Sequence, residues 1–587
     1  MGKGEDKNDR LSNMRHTLAH LLAASVGEIY KFDKIKLTLG PAIENGFYYD
    51  IDFCGEKVTD ADLKKIENVM KKRLPKWTEW EHKEINQDEA LKFFKNEYKA
   101  KLINEIAERG EKITTYTCGG FTDLCRGGHL ENPSVEISPD SFKLDRIAGA
   151  YWRGDAKNKM LTRIYGLAFN TKEELDAYVT QQREAEKRDH KKLGKELDLF
   201  TFSELVGAGL PLFTPKGTVV RDLLDSFVWE LRKAAGYERV DIPHITKKEL
   251  YEKSGHWDKF KDDLFKINTR EGHVLAMKPM NCPHHSQIYN RRQWSYKELP
   301  QRYASTTKVY RDEQTGELGG ISRVRSITQD DAHVFCRLSQ SGHEMGKIYT
   351  IIKTFYGAFG FILQPRLSLH DPKNMEKYLG TEEVWKNSEQ ALRKIVENNG
   401  ETAIEAVGEA AFYGPKIDFM AKDAIGREHQ VATIQLDMNM PERFDLYCIN
   451  EKGVQERIVM IHAAIMGSIE RFMAVLIEHT SGAFPLWLSP VQVKVIPVRE
   501  NHNAEAKKVF EILKENNIRA EFDDKDENLG TKVRDAKNNK ISYWIVIGDK
   551  EMEAGKVTLE SRDTGPLGQM SKEELLKKLL EEIKNKK

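Results

Sequence analysis

Apolar positions in "LSNMRHTLAHLLAASVGEIY" recur every three or four residues, the period of an amphipathic helix. "GPAIENGFYYDIDF" then alternates like strands around Gly and Asn turns, and this first block closes near "GAYWRGDAKNKMLTRIYGLAF". From 171 to 200, "TKEELDAYVTQQREAEKRDHKKLGKELDLF" keeps a helical period with few apolar positions, which predicts a solvent-exposed connecting helix. A third block, 201–489, is rich in alternating segments such as "GHVLAMKP", "TKVYRDE" and "KIDFMAKD", and ends at the prolines of "GAFPLWLSP". The last block, 490–587, reads β-α-β-α-β followed by a terminal amphipathic helix, a small α/β domain. The pattern predicts an α+β multidomain chain divided at 1–170, 171–200, 201–489 and 490–587.

A chain of 587 residues is too long for a single core, which agrees with that division. No apolar run reaches the ~18–20 residues of a membrane span, so no membrane partner is expected. The N-terminal "MGKGEDKNDR" is charged and lacks the apolar segment of a secretory signal. The six cysteines (54, 118, 125, 282, 336, 448) show no framework spacing, which predicts a reducing, cytoplasmic location. Lys+Arg and Asp+Glu both number 92, so any RNA-binding surface must come from local patches.

Chemistry is suggested first by "PMNCPHHSQ". Cys282 is either a small buried filler or a thiolate metal ligand, and in the second case its partners lie elsewhere. His333 in "TQDDAHVFC" and His462 in "VMIHAAIMGSIERF" sit in mixed polar–apolar contexts. Together the three leave the fourth position of a zinc ion open, although separations of 51 and 129 residues cannot define a site. "KVYRDE", the loop "QTGELGGISRVRS" and "ITQDDAHVF" read as strand–loop–strand carrying Arg311, Arg323 and Arg325, while "GSIERF" puts Arg471 at a helix start. Guanidinium forks suit nucleotide phosphates, and the chain has no G-x-x-x-x-G-K-[ST] loop for them. "RHTLAHLL" puts His16 and His20 one turn apart on one helix face, and "DLCRGGH" supplies Cys125 and His129. H-T-L-A-H lacks the glutamate of a zinc-protease H-E-x-x-H.

In these segments the sequence resembles the class II aminoacyl-tRNA synthetases, and among them the threonyl-tRNA synthetases. "YRDE…RVRSITQDDAHVF" is similar to that family's second signature motif, "GSIERF" to its third, and "GYERVDIPHI", with Pro243, to the first, which lies at a dimer interface. "GHWDKF", "KPMNCP" and "AAFYGPKIDF" are also close to family patterns. The resemblance runs from about residue 12 to the C-terminus. It implies an antiparallel-sheet catalytic core preceded by an N-terminal α+β editing domain and followed by a C-terminal α/β anticodon-binding domain. It also implies ATP, L-threonine and threonine tRNA as partners, and a homodimer. By the same resemblance, the ubiquitin-like β domain that often precedes the editing domain is expected to be missing.

The resemblance makes Cys282, His333 and His462 ligands of one Zn²⁺ per chain, with Mg²⁺ accompanying ATP and no protein ligand assigned to it. Asp331 is implied to accept the hydrogen of threonine's β-hydroxyl. Arg311 would bind the α-phosphate, Arg323 and Arg471 the rest of ATP, and Glu313 would read adenine. Gln329, Met280, Tyr413, Lys416, Gln435 and Ser468 match positions of the threonine and adenylate pocket. His256 matches a histidine linked to transfer onto the tRNA ribose. His16, His20, Cys125 and His129, with Lys99 and Asp123, match an editing site that hydrolyses mischarged seryl-tRNA. In the C-terminal domain Lys532, Arg534, Lys537 and Lys540 are candidates for phosphate contact, and Glu551 for base reading.

Three positions depart from the family pattern. Ile327 stands where an aromatic commonly stacks on adenine, His284 replaces a usual glycine, and Glu560 occupies a position where an arginine often contacts the anticodon. Beside the ligase, two other readings fit the same segments: an RNA-binding regulator without catalysis, and an amino-acid sensor that forms an adenylate but charges no tRNA.

Overall fold

The computed structural model describes residues 7–155 and 157–586 of the chain; the charged stretch before Lys7 lies outside the described residues. The chain forms two compact units, Met1–Arg183 and Glu184–Lys587.

The first unit is built around helix α1 (Lys7–Tyr30), which is buried on almost every side between Met14 and Gly27. Leu18, Leu21 and Leu22 of α1 pack on Phe47, Tyr49 and Ile51 of strand β1 (Gly46–Asp52). Helix α2 (Glu97–Glu108) starts at Asn96, whose side chain accepts the Lys99 N–H and caps the helix. Strands β2 (Ile113–Cys118) and β3 (Phe121–Leu124) form a hairpin, and β4 (Phe142–Tyr151) pairs with β5 (Met160–Ala168), itself antiparallel to β1.

The expected connecting helix is two helices, α3 (Lys172–Arg188) and α4 (His190–Glu196). Asp189 breaks them apart by leaving helical geometry and capping α4 through its carboxylate. Helix α3 is mostly solvated as expected, but α4 buries His190, Leu193 and Gly194. Two apolar or small positions in seven, Leu193 and Gly194, were too few to register against so many charges.

The second unit holds helix α5 (Pro215–Ala234), strand β6 (Glu238–Arg239), helix α6 (Cys282–Tyr289), strands β7 (Gln301–Tyr310) and β8 (Ser326–Cys336), and helix α7 (Leu338–Gly357). Strands β9 (Ile362–Leu369), β10 (Ile404–Val407), β11 (Lys416–Lys422), β12 (Glu428–Asp437) and β13 (Val459–Ser468) follow, then helix α8 (Ile469–Thr480). The eight strands form one sheet in the order β6-β7-β8-β13-β12-β11-β9-β10, antiparallel except at its two edge pairs. Val334, Ile461, Ile434 and Ile417 point to one face, where α5, α7 and α8 cover them. Their neighbours His333, His462, Gln435 and Lys416 therefore point to the other face, because strand side chains alternate.

Beyond α8 the chain forms β14 (Val493–Pro497), α9 (Asn503–Glu515), β15 (Ala520–Phe522), α10 (Leu529–Asn538) and β16 (Tyr543–Ile547). Helix α11 (Asp549–Ala554), strands β17 (Val557–Ser561) and β18 (Gly565–Met570) and helix α12 (Lys572–Lys584) complete it. The sheet order is β15-β14-β16-β17-β18, parallel among the first three strands and antiparallel thereafter. The β-α-β-α-β pattern is present, but the sequence reading passed over α11, β17 and β18, which are short and, in β18, mostly exposed and glycine-bearing. No described helix is long and apolar enough to cross a membrane, and all six cysteines are free.

Candidate active sites

Register assembles the larger site. Across four strands, His333 pairs with His462, His462 with Gln435, and Gln435 with Lys416, so these side chains form one transverse row. Four residues along β8, Gln329 pairs with Ser468. Between the two rows, Asp330 pairs with Gly467 and Ala332 with Ala463, so a bulge of residues 464–466 stands opposite Asp331 alone. Asp330 accepts the Ile465 and Met466 amides, both at 2.9 Å, and is ion-paired to Arg232 of α5. Arg232 also donates to the Ala463 carbonyl at 3.1 Å, and both charged partners are buried.

His333 and His462 face each other through Nε2 and Nδ1 at 3.0 Å. Their outer nitrogens are held by His285 Nδ1 (2.8 Å) and Asp437 Oδ2 (2.9 Å), which leaves the inner pair converging on one point. Cys282 Sγ, at the start of α6, completes a set of donors that lie within 4.8 Å of one another. A tetrahedral zinc ion with bonds of about 2.0–2.3 Å needs donors roughly 3.3–3.7 Å apart, a range this cluster brackets. Burial, with Asp331 and Asp437 nearby, pushes the Cys282 thiol well up, while burial and the neighbouring His462 hold His333 neutral. The donor chemistry thus fits a zinc ion, whose charge would stabilise the thiolate.

The cavity in front of this cluster has a volume of about 960 Å³. Its wall brings together Met280, Arg311, Glu313, Arg323, Gln329, Asp331, Tyr413, Lys416, Gln435, His462, Ser468 and Arg471, twelve of the residues expected from sequence. Asp331 is pushed up to about 6 by burial and accepts from Asn281 Nδ2 at 3.1 Å. Arg311 touches Met280 Sδ at 3.5 Å, and its Nε is buried without a partner among the described residues, a donor free for an anion. Arg323 is exposed and lies on Glu313 Oε2 through Nε (2.8 Å) and Nη2 (2.6 Å). Lys416 Nζ pairs with buried Asp418 at 2.7 Å, and Gln435 Nε2 donates to the Gly414 carbonyl. Ser468 caps α8 by accepting the Arg471 N–H. Ile327, which stands where the family commonly has an aromatic, lines the cavity.

Some placements differ from the sequence reading. Arg325, grouped there with the phosphate-binding arginines, donates to the carbonyls of Glu313 (2.9 Å) and Ala208 (3.3 Å). His256 is fully buried and faces Cys282 Sγ at 3.8 Å, not the cavity. Lys532 is buried, its Nζ donating to the carbonyls of Asp523 (3.0 Å) and Pro497 (3.4 Å), so it offers no phosphate contact. Arg534 and Lys537 of α10 are exposed, and Lys540 is half-buried just beyond it. Glu551 caps α11 through the Gly548 amide and also accepts from Thr558 and Gln569, so base reading would require it to leave these partners. Glu560 holds the Trp544 indole N–H at 2.9 Å. Asn281, His285 and Asp437 were missed, although Asn281 and His285 both lie inside "PMNCPHHSQ"; Asp437 lies in none of the quoted segments.

The smaller site lies in the first unit. Gly127 and Gly128, both at positive φ, turn the chain after β3 so that Cys125 and His129 face α1. Cys125 Sγ then lies 3.4 Å from His16 Nε2 and 3.3 Å from His129 Nε2, and His20 Nε2 is 3.2 Å from His16 Nε2. Behind them Asp123 binds Lys99 (2.5 Å), His20 Nδ1 (3.3 Å) and the Tyr49 hydroxyl (2.7 Å). Trp80 stacks flat on His129 with ring centroids 3.9 Å apart. Tyr49 and Trp80 had no signal in the sequence, being indistinguishable there from core aromatics.

Burial opposes ionisation of Cys125, yet hydrogen bonds from His129, His16 and His20 lower its thiol to about 3. Burial likewise disfavours charge on His20, but Asp123 and Cys125 raise it to about 9. Lys99 and His20 overcome burial to hold Asp123 well below the usual carboxylate range. The cluster is thus a charge-balanced set with a partly exposed thiolate. Iodoacetamide should alkylate Cys125 at a rate nearly independent of pH between about 5 and 8, because its thiolate exists throughout that range. His129→Ala combined with His16→Ala should restore a rise with pH. Peptide mapping that shows the wild-type rate climbing about tenfold per pH unit would contradict the assignment.

Comparison with known proteins bears on both sites. Residues 265–480 match the tRNA synthetase class II core domain (G, H, P, S and T), 492–582 the anticodon binding domain, and 113–165 the threonyl and alanyl tRNA synthetase second additional domain. The threonine–tRNA ligase of Porphyromonas gingivalis is 48% identical over 562 residues, covering 94% of this chain and 85% of that one. That of Flavobacterium johnsoniae is 46% identical over 548 residues, covering 93% and 84%. A crystal structure of the RNA binding domain of threonyl-tRNA synthetase from Cryptosporidium parvum Iowa II superposes with a TM-score of 0.64 at 35% identity, covering 67% of this chain and 98% of that one. With identity at this level over nearly the whole length, the chain belongs to the threonine–tRNA ligase family.

Proposed function

We infer that the chain activates L-threonine with ATP to threonyl-adenylate, transfers it to the 3′ end of threonine tRNA, and hydrolyses seryl-tRNA made in error. The observation that carries the reading is the row His333, His462, Gln435 and Lys416, set beside Asp331 and the arginines in a single cavity. Residues 1–170 serve as the editing domain, 171–200 as the linker, 201–489 as the catalytic domain and 490–587 as the anticodon-binding domain.

Cys282 Sγ, His333 Nε2 and His462 Nδ1 would hold one zinc ion. Bound there, zinc would supply Lewis acidity toward the amino and β-hydroxyl groups of threonine. Asp331 accepts the hydroxyl hydrogen. Valine would offer that carboxylate no hydrogen in place of the hydroxyl's, leaving it only the Asn281 bond, and sites built around a hydroxyl reject the analogue without it by roughly 10⁴-fold or more. As a threonine carboxylate oxygen bonds to the α-phosphorus and pyrophosphate leaves, Arg311 stabilises the growing charge. Arg323 and Arg471 hold the remaining phosphates, with which Mg²⁺ travels, and Glu313 faces adenine. Met280, Gln329, Tyr413, Lys416, Gln435 and Ser468 shape the pocket. The tRNA ribose hydroxyl then attacks the adenylate carbonyl and AMP leaves; His256 acts on that step only by positioning Cys282.

Serine keeps the hydroxyl and lacks one methyl, a difference worth only about 1–3 kcal/mol, so a hydrolytic site is needed. Cys125 with His16 and His129, supported by the His20–Asp123–Lys99 chain, orients water on the seryl ester. The free thiol of Cys125 suits a cytoplasmic, reducing setting. Arg534, Lys537 and Lys540 contact tRNA phosphates.

Three variants test the division of labour. Arg311→Ala should abolish threonine-dependent pyrophosphate exchange, a loss on the order of 3 kcal/mol or more in the transition state, and still hydrolyse preformed seryl-tRNA. Cys282→Ala should lose its one zinc by metal analysis, together with threonine activation. Cys125→Ala with His16→Ala should activate threonine normally and leave seryl-tRNA intact. If the double variant clears seryl-tRNA at the wild-type rate, the first unit has another role.

The chain also works as a homodimer through 236–245, where β6 forms the sheet's edge and Ile245 is 47% exposed. Light scattering should give twice the chain mass; an active species with the mass of one chain at micromolar concentration would remove the dimer.

A further inference from the structure

The linker helix α4 is fastened to the helix that carries Arg471. Arg188 donates to the carbonyls of His479 (3.1 Å) and Glu478 (3.5 Å) at the end of α8. His190 approaches Glu478 Oε1 with its backbone N–H at 3.2 Å and its Nδ1 at 2.6 Å. The other oxygen of Glu478 accepts from Arg427 at 2.6 Å, so this carboxylate is fully engaged. Asp189, His190 and Glu478 also meet the spacing of a metal cluster, but His190 Nδ1 and both Glu478 oxygens are already committed, so no ion is called for.

The far nitrogen of His190 is different. The residue is 5% exposed and forms part of the cavity wall, yet its Nε2 is buried with no hydrogen-bond partner among the described residues. With the Nδ1 proton directed at Glu478, Nε2 presents a lone pair that lacks a donor, a costly arrangement for a buried polar atom. It faces the loop that links β7 to β8. A Cβ placed on Gly320 would lie 2.4 Å from Nε2 and 2.8 Å from Lys191 Cγ, and Gly320 has φ +58°. That loop carries Glu313 and Arg323, and α8 carries Arg471, the two sides of the nucleotide site.

We propose that His190 is a positioning residue for ATP, whose Nε2 accepts a hydrogen bond from the backbone of loop 311–325 when the loop folds onto the nucleotide. The loop is thereby tied to α8. Glycine at 320 serves this approach, since any side chain there meets the imidazole. The inference rests on the reading that Arg311, Arg323 and Arg471 hold ATP.

The test uses the full chain. His190→Ala should raise KM for ATP about tenfold, the effect of losing one ordinary hydrogen bond, with KM for threonine and seryl-tRNA hydrolysis unchanged. His190→Gln, whose carboxamide reaches toward the same point, should recover most of the loss. Gly320→Ala should raise KM for ATP in the wild type and add little in the His190→Ala background. Hydrogen exchange across 311–325 should slow on adding a non-hydrolysable ATP analogue in the wild type and not in His190→Ala. An unchanged KM for ATP in His190→Ala would overturn the proposal, as would equal changes in both substrates' KM. Calorimetry with the same analogue on Arg323→Ala combined with Arg471→Ala separates the two failures. If that double variant binds it normally, the nucleotide site itself is misplaced and this proposal falls with it; if binding is lost there while His190→Ala is normal, this proposal alone falls.

Discussion

A buried ion pair between Arg232 and Asp330 governs the larger site. Asp330 occupies both amides at the tip of the β13 bulge, and Arg232 ties the same carboxylate to α5 and to the Ala463 carbonyl. With the bulge held, His333 meets His462 directly across the strands, and the row continues through Gln435 to Lys416. A slip of one residue would turn every one of these side chains into the helical layer. Breaking such a pair by removing one partner typically costs about 3–5 kcal/mol, because the other charge is left buried. The clamp therefore connects core stability to the aim of the donor atoms.

The two sites use burial in opposite ways. In the second unit, burial keeps His333, His285 and His256 uncharged and the Cys282 thiol protonated, an environment that favours an incoming cation. In the first unit, Cys125, Asp123, His20 and Lys99 are close enough to overcome burial, so the charges pair with one another. The difference suits the proposed tasks. Recognising a small hydroxyl amino acid calls for a site left unsatisfied until the substrate arrives, and hydrolysing an ester calls for a polar, pre-organised cluster.

Much of this was legible in the sequence because alternation in a strand is a strong signal. His333 and His462 already stood out as polar positions among apolar neighbours. The His16–His20 spacing likewise placed both on one side of α1. Long-range register was not legible, since nothing local states that β8 lies between β7 and β13. Capping roles were hidden too: Glu551 and Ser468 read as free polar residues until the helices they cap were in view. Lys532 and His190 lie in highly charged segments that suggested solvent, and both are buried by partners distant in sequence. Motifs taken from a family resemblance supplied the pairings that pattern alone could not.

On the proposed function, the row and Asp331 select an amino acid by its β-hydroxyl. Amino-acid-dependent ATP–pyrophosphate exchange with threonine, serine and valine tests it most directly. Strong exchange is expected with threonine, weaker but measurable exchange with serine, and exchange with valine lower than with threonine by roughly 10⁴-fold or more. Valine activated as readily as serine would contradict it, because the cavity would then be measuring size and not the hydroxyl.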